Sequence, residues 1–172
     1  MLRRTIMIAF LFLPAGCQPQ AEPVAQPVSE PIGPLDGAWR LVALEDVELD
    51  GTRTTLTPQE SLFLFADGYY SMAYAVGEQR SPYYAERFSP TDEESLARMN
   101  AMTVNAGTFE IAGTRVMMHP LIARVPEFVG GLAEHDFVVS GDTLTLTWSR
   151  TVSEDGVEAP GTTSVLTLVR VN

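Results

Sequence analysis

Few side chains in this 172-residue sequence can do acid–base, nucleophilic or metal chemistry. The only imidazoles are His119 and His135, and the only thiol is Cys17. If the strands carrying the two histidines pair, the rings approach across a sheet and, with Glu134 or Asp136, offer a zinc or general-base site. Successive residues of a strand point to opposite faces, however, so His135 and Asp136 diverge and the trio is weakened. A satisfied or solvent-exposed ring is the ordinary reading of each histidine. His119 precedes Pro120, which confines that stretch to an edge, bulge or strand end and suits an imidazole at the mouth of a closed sheet. No HExxH, GxSxG, Walker A or dinucleotide-binding glycine fingerprint occurs. We therefore expect no catalytic residue, no metal site and no cofactor, although a tyrosine or His119 leaves isomerase or hydrolase chemistry formally open.

A richer cluster is Arg80, Tyr83, Tyr84 and Arg87, flanking Pro82 just before a helical segment. Every basic residue of this chain is an arginine, and the guanidinium fork binds a carboxylate or phosphate bidentately while tyrosines supply an amphipathic wall. That pairing suits a fatty-acid-like ligand. Arg124 can join from a neighbouring loop, and Tyr69, Met72, Tyr74, Trp148 and His119 can line an apolar pocket. The competing reading is surface ion pairing with the abundant acids plus ordinary tyrosine packing. Met99 and Met102 admit a soft metal site or a flexible ligand wall, but methionines three apart on a helix ordinarily pack against a core.

The elements that must hold these groups are mostly strands. Short apolar runs separated by turn residues place them at Ala38–Leu44, Ser61–Ala66, Tyr69–Val76, Thr108–Ala112, Arg115–Ile122, Glu134–Ser140, Thr143–Ser149 and Thr163–Val171. Asp67-Gly68, Ala112-Gly113-Thr114 and Gly141-Asp142 are hairpin signals, so consecutive strands are antiparallel neighbours. In Thr143–Trp148, Leu144, Leu146 and Trp148 share one face and three threonines the other, which predicts one buried and one wet face. Phe63 and Phe65 oppose Leu62 and Leu64, which predicts a second strand covered on both sides. An eight-stranded meander removes its edges most simply by closing into an all-β, antiparallel, up-and-down barrel; a two-sheet β-sandwich is the alternative. Residues 89–102 break the pattern with a capping box at Thr91 and Glu94 and apolar Leu96, Met99 and Met102, predicting one short inserted helix.

Composition limits the function classes. With 45% apolar and 19% charged residues, the chain is too hydrophobic for disorder and too polar for several membrane spans. A formal charge of −11 argues against a nucleic-acid partner. Arg3 and Arg4 precede an apolar run from Ile6 to Leu13, shorter than the roughly 20 residues that span a bilayer. Residues 1–16 thus read as a signal peptide. Residues 18–34 carry proline at every fourth position from Pro19 to Pro31, a tether reaching about 50 Å when extended. A PxxP docking role is the lesser alternative, because no basic flank accompanies it.

Ala15-Gly16-Cys17 resembles a bacterial lipobox, in which the cysteine is lipidated and becomes N-terminal; Pro14 departs from the usual aliphatic residue. The resemblance implies a membrane partner through a lipid anchor at Cys17. Because Gln18 is not the aspartate associated with inner-membrane retention, it also implies a cell-envelope location on the periplasmic face of the outer membrane. Losing Arg3 and Arg4 takes the formal charge from −11 to −13, so lipid rather than charge would hold the chain there.

Residues 35–172 form the expected domain. Their "GAWRLVALE", "LFLFADGYYSM", arginine loop, helix, "GTFEIAGTRVMMHPL" and "FVVSGDTLTLTW" resemble, over residues 36–171, the lipocalin-like domain of bacterial and fungal proteins. Glu134-His135-Asp136 stands where that family often has an arginine. The resemblance implies a small barrel with a cavity and brings no catalytic residues. Two functions follow as expectations: a carrier that binds a small hydrophobic or amphipathic molecule, or a filled barrel acting as a structural or protein-interaction module. A cavity of about 300 Å³ or more favours the first, a close-packed interior the second.

Overall fold

The structure, a computed structural model, describes residues 33–77, 82–160 and 163–171. The chain divides into two units, Met1–Glu30 and Pro31–Asn172, and every described residue belongs to the second. The leader, Cys17, the tether as far as residue 32, and Arg80 lie outside the described residues.

Alternation of apolar and polar residues resolves into β1 (Gly37–Val47), β2 (Arg53–Leu56), β3 (Pro58–Ala66), β4 (Tyr69–Val76), β5 (Met102–Ala112), β6 (Arg115–Ala123), β7 (Leu132–Ser140), β8 (Thr143–Val152) and β9 (Thr163–Arg170). Except for β2 and β3, sequence neighbours pair antiparallel, and β9 returns to pair with β1 from Thr163 to Arg170. β2 and β3 both pair with β1 and are separated by Thr57 alone, so they make one bent stave. Pro58, which has no N–H to give a ladder, sits at the bend. The outcome is a closed, eight-stave, up-and-down antiparallel barrel with one helix, α1 (Asp92–Ala101), between β4 and β5. The sandwich alternative is set aside by the β1–β9 closure.

The ends of the barrel differ. Tight turns at Asp67-Gly68, Gly113-Thr114 and Gly141-Asp142 close one end, and Asp67 and Gly68 both take the left-handed backbone that a two-residue hairpin needs. At that end the buried Trp39 indole N–H donates to the Leu35 carbonyl at 2.7 Å. The Arg170 guanidinium lies 4.1 Å from the Trp39 ring centroid and donates to the Asp36 carbonyl at 2.7 Å. Trp39, Phe63, Phe65, Met118, Leu144 and Leu168 fill this half and are fully buried. Phe65 meets Phe109 edge-on at 5.3 Å and Phe63 stacks on Tyr74 at 5.7 Å. Truncating one such aromatic costs about 3–5 kcal/mol, a large part of a small domain's stability.

Three expectations need correction. β5 begins at Met102 rather than Thr108, because its inward residues Thr103, Asn105 and Gly107 are polar or small and hide the alternation. Leu62 and Leu64 are exposed, so β3 is covered on its inner side only. The helix buries none of its residues: Met99 and Leu96 face solvent instead of packing on a core. Its capping box forms as expected, with Glu94 N–H donating to Thr91 Oγ1 at 3.2 Å and Thr91 N–H donating to Glu94 Oε2 at 2.9 Å.

Candidate functional site

The long connections gather at the end opposite Trp39, and there the arginine–tyrosine loop is fixed to α1 by one carboxylate. Besides closing the capping box, Glu94 accepts the Ala85 N–H on Oε1 at 2.8 Å. These N–H groups, Ala85 first and then Thr91, hold the Glu94 carboxyl below the usual carboxylate range. In the last helical turn Arg98 pairs with Glu60 of β3 at 2.9 Å, which ties the helix to the wall. Between loop and helix lies a groove of about 400 Å³ lined by Tyr83, Tyr84, Arg87, Phe88, Ala97 and Arg98, among others.

The groove sets the Arg87 guanidinium beside aromatic surface, and Glu60 and Glu94 complete its lining. Arg87 lies 4.2 Å from the centroid of the Tyr83 ring, a stacking geometry that orients the guanidinium while leaving its N–H donors free. Among the described residues no carboxylate forms an ion pair with Arg87, and both oxygens of the neighbouring Glu94 are already engaged by backbone. Phe88 is 98% exposed and holds a left-handed backbone, φ 63°. For a bulky non-glycine residue this conformation costs of order 1 kcal/mol, and such strain concentrates at ligand clamps.

The other sequence-selected residues scatter. Met72 and Tyr74 point inward from β4 and pack against the core. Burial raises the Tyr74 hydroxyl pKa, while its bond to Thr103 and the nearby Arg124 charge oppose the shift. Arg124 is exposed at the same open end and donates its N–H to the Val104 carbonyl at 2.9 Å. Tyr69 points outward and is 61% exposed; Tyr70 takes the inward place and donates to Asn105 Oδ1 at 2.6 Å. Trp148 is half-buried and donates to Thr151 Oγ1 at 2.8 Å.

The histidines are not brought together. His119 sits outward opposite Thr108, along the wall rather than at a mouth, whereas His135 points inward beside Val116 and Trp148. His135 is 7% exposed and its Nδ1 has no hydrogen-bond partner. Desolvation lowers its pKa to about 4, with the neighbouring Asp136 charge opposing the shift. Among the described residues no three His, Cys, Asp or Glu side chains form a metal-binding group.

A second cavity of about 750 Å³ opens between residues 125–129 and 151–160. Val125, Phe128, Val129 and Val157 line it, together with Glu127, Glu154, Asp155 and Glu158. No basic side chain belongs to that lining, so it offers nothing to an anionic head group.

The lipocalin-like domain family matches residues 36–171, and the chain belongs to that family. Comparison with curated protein sequences gives no match. Among solved structures, the chain is similar to fatty-acid-binding protein 1 of Echinococcus granulosus, with 13% identity, TM-score 0.34, and 81% of this chain and 98% of that one covered. It is also similar to a mutant of the fluorescent protein UnaG, with 11% identity, TM-score 0.32, and 81% and 97% covered.

Proposed function

We propose that this lipocalin-like barrel binds a small amphipathic anion, fatty-acid-like in character, in the groove between the arginine loop and α1. The supporting observation is the groove of about 400 Å³ in which Tyr83, Tyr84 and Arg87 meet, with Arg87 stacked on Tyr83 and free of carboxylates among the described residues. Its volume falls within the range of small-molecule sites. The packed residues of the closed half support a site at the open end. Arg80, seven residues before Arg87, is the second cation of the same loop by sequence.

The proposal extends to location: the signal peptide, Cys17 as lipidation site, the proline-rich tether and the outer-membrane periplasmic face. Its support is the order of Arg3, Arg4, the apolar run and Ala15-Gly16-Cys17. A diacylglyceryl-modified Cys17 in the N-terminal peptide mass, lost in Cys17→Ser, is the expected result; an unmodified, uncleaved N-terminus refutes it.

For binding, the full precursor is expressed so that export can occur, and native and denatured mass spectra of the released domain are compared. Extra mass that disappears on denaturation supports the carrier. Titration with dodecanoate then tests the site: Arg80→Ala with Arg87→Ala should cost about 2 kcal/mol, roughly thirtyfold in affinity, with thermal unfolding unchanged. Unchanged affinity removes these arginines from the site. A second reading, an interaction module without a small ligand, is favoured by the packed closed half and by the solvent-exposed Leu96 and Met99 of α1. A bare domain mass together with no dodecanoate binding selects it.

A further inference from the structure

We propose that the outer wall formed by β3, β4, β5 and the end of β6 is a bilayer-resting face, which lies flat against zwitterionic phospholipid while the barrel mouth stays clear. The proposal rests on the lipid-anchor reading for its proximity to a membrane, but the face is argued from the described residues alone.

Strand register assembles it. Leu64 pairs with Ser71, Ser71 with Ala106, and Ala106 with Ile122, making one outward row across four strands; Leu62, Ala73 and Val104 make the next. No residue of either row is charged, on a chain with 22 acids. Leu64 is 42% and Ile122 63% exposed, and the outward Tyr69 adds an amphipathic ring of the kind that settles at headgroup level. The register shift between Ala106 and Gly107 leaves Leu121 unpaired, so two adjacent apolar side chains, Leu121 and Ile122, face solvent there. An added Cβ on Gly107 would meet the His119 carbonyl at 2.0 Å, so the bulge presses the β6 backbone onto a position only glycine can fill. The wall that follows is different in kind: outward Arg115 at the start of β6, Glu134 and Asp136 of β7 and Arg150 of β8 form an ion-pair ladder.

Two features select a phospholipid surface over a protein. The cations bordering the face are Arg40, two residues beyond Ala38 on β1, and Arg124, bonded through its N–H to Val104. Both are exposed, and among the described residues neither forms an ion pair, whereas Arg53, Arg98, Arg115, Arg150 and Arg170 all do. Free guanidinium forks at the margin of an apolar face match the phosphates above an acyl layer. Second, the described chain begins at Gly33, and β1 then pairs Gly37 with Phe65 and Ala38 with Leu64. The first described residues therefore enter the barrel beside this face. A tether of about 50 Å keeps it within reach of the membrane at high effective concentration, so weak contact suffices.

The test uses the full lipidated chain in phosphatidylcholine vesicles containing nitroxide-labelled phosphatidylcholine. An environment-sensitive fluorophore is attached either at Ser71→Cys on the face or at Thr145→Cys on β8. The expected result is a blue shift and nitroxide quenching at position 71 only, and Leu64→Glu with Ile122→Glu should reduce that quenching about tenfold. Equal quenching at both positions, or none at 71, overturns the proposal. A blue shift at 71 without nitroxide quenching also overturns it, because a second copy or another protein then covers the face. If Cys17 takes no lipid, the same pair of labels is read with the chain held to nickel-chelating vesicles by an N-terminal histidine tag. Failure of the anchor and failure of the face are thereby distinguished.

Discussion

Acid should destabilise this barrel through one imidazole before its carboxylates respond. His135 is 7% exposed, projects inward from β7 and has an unpartnered Nδ1, and burial lowers its pKa to about 4 from the ordinary 6.5. The unfolded chain therefore takes up a proton near pH 6.5 that the native state refuses until about pH 4. Stability is fully retained above pH 6.5, falls as pH drops through this window, and reaches its floor below about 4. The whole window corresponds to about 3 kcal/mol, and about 2.5 kcal/mol is already lost at pH 4.5. The groups facing the ring from the packed strands are the uncharged Val116 of β6 and Trp148 of β8, while the charge of Asp136 beside it opposes the shift. Asp50, Glu94 and Asp155, whose carboxyls are held low, are present in wild type and variant alike, so their response cancels in the comparison. The assay is thermal unfolding of the wild type and of His135→Phe at pH 7.5 and 4.5. For a domain of this size the wild type should lose about 8 °C more than the variant between those values. Equal losses would refute the assignment of a buried neutral His135. If His135→Phe does not fold, the ring resonances of the wild type, distinguished from those of His119 by a His119→Gln control, supply the pKa directly.

Two further perturbations probe how the wall is built. Gly107→Ala places a Cβ about as close to the His119 carbonyl as a covalent neighbour, 2.0 Å, so it should cost upward of about 3 kcal/mol and lower the melting temperature by 10 °C or so; a melting temperature within about 2 °C of wild type would show that the β5–β6 bulge relaxes freely. Asn105→Ala strands the buried Tyr70 hydroxyl, which now donates to Asn105 Oδ1 at 2.6 Å; the expected loss is about 1–3 kcal/mol in urea unfolding, and adding Tyr70→Phe should recover part of it.

What the sequence made legible was local chemistry that needs no tertiary partner. Asp67-Gly68 demands left-handed backbone, and Thr91 with Glu94 closes a capping box wherever a helix begins, so the hairpin and the helix start were readable. The closing β1–β9 pair followed from counting staves. The first half of β5 was hidden because Thr103, Asn105 and Gly107 occupy its inward positions, and apolar alternation cannot mark a strand whose buried side is polar. β2, reading Arg53-Thr-Thr-Leu56, was hidden for another reason: it is four residues long and exposed except at Leu56. For the site, the arginine–tyrosine loop was identifiable from residue type, and it does line a groove. One error was of parity rather than chemistry: Met72 and Tyr74 face inward, so their even-numbered companion is Tyr70, not Tyr69. Phe137 inward likewise sets His135 inward, apart from the outward His119. Phe88 carried no signal, since neither its left-handed backbone nor its exposure is encoded in local pattern.

The two ends of the barrel differ in where each arginine finds its charge. Arg170 at the closed end is held by the Trp39 ring and the Asp36 carbonyl, contacts that lock the packed half and leave its guanidinium little to offer a ligand. Arg87 and Arg124 lie at or beside the open end on exposed segments, without carboxylate partners among the described residues. In a chain with twice as many acids as bases, a surface arginine that pairs with none of them carries uncompensated positive charge into solvent. An anionic group brought to it meets a site whose own counter-charge has been withheld, so desolvating the guanidinium is offset by a new charge-assisted bond rather than by breaking an old one. The exposed Phe88 and Tyr83 beside Arg87 add apolar surface that water covers poorly. Removing Arg170 should therefore lower stability, whereas removing Arg87 should leave stability intact and change only what the open end binds.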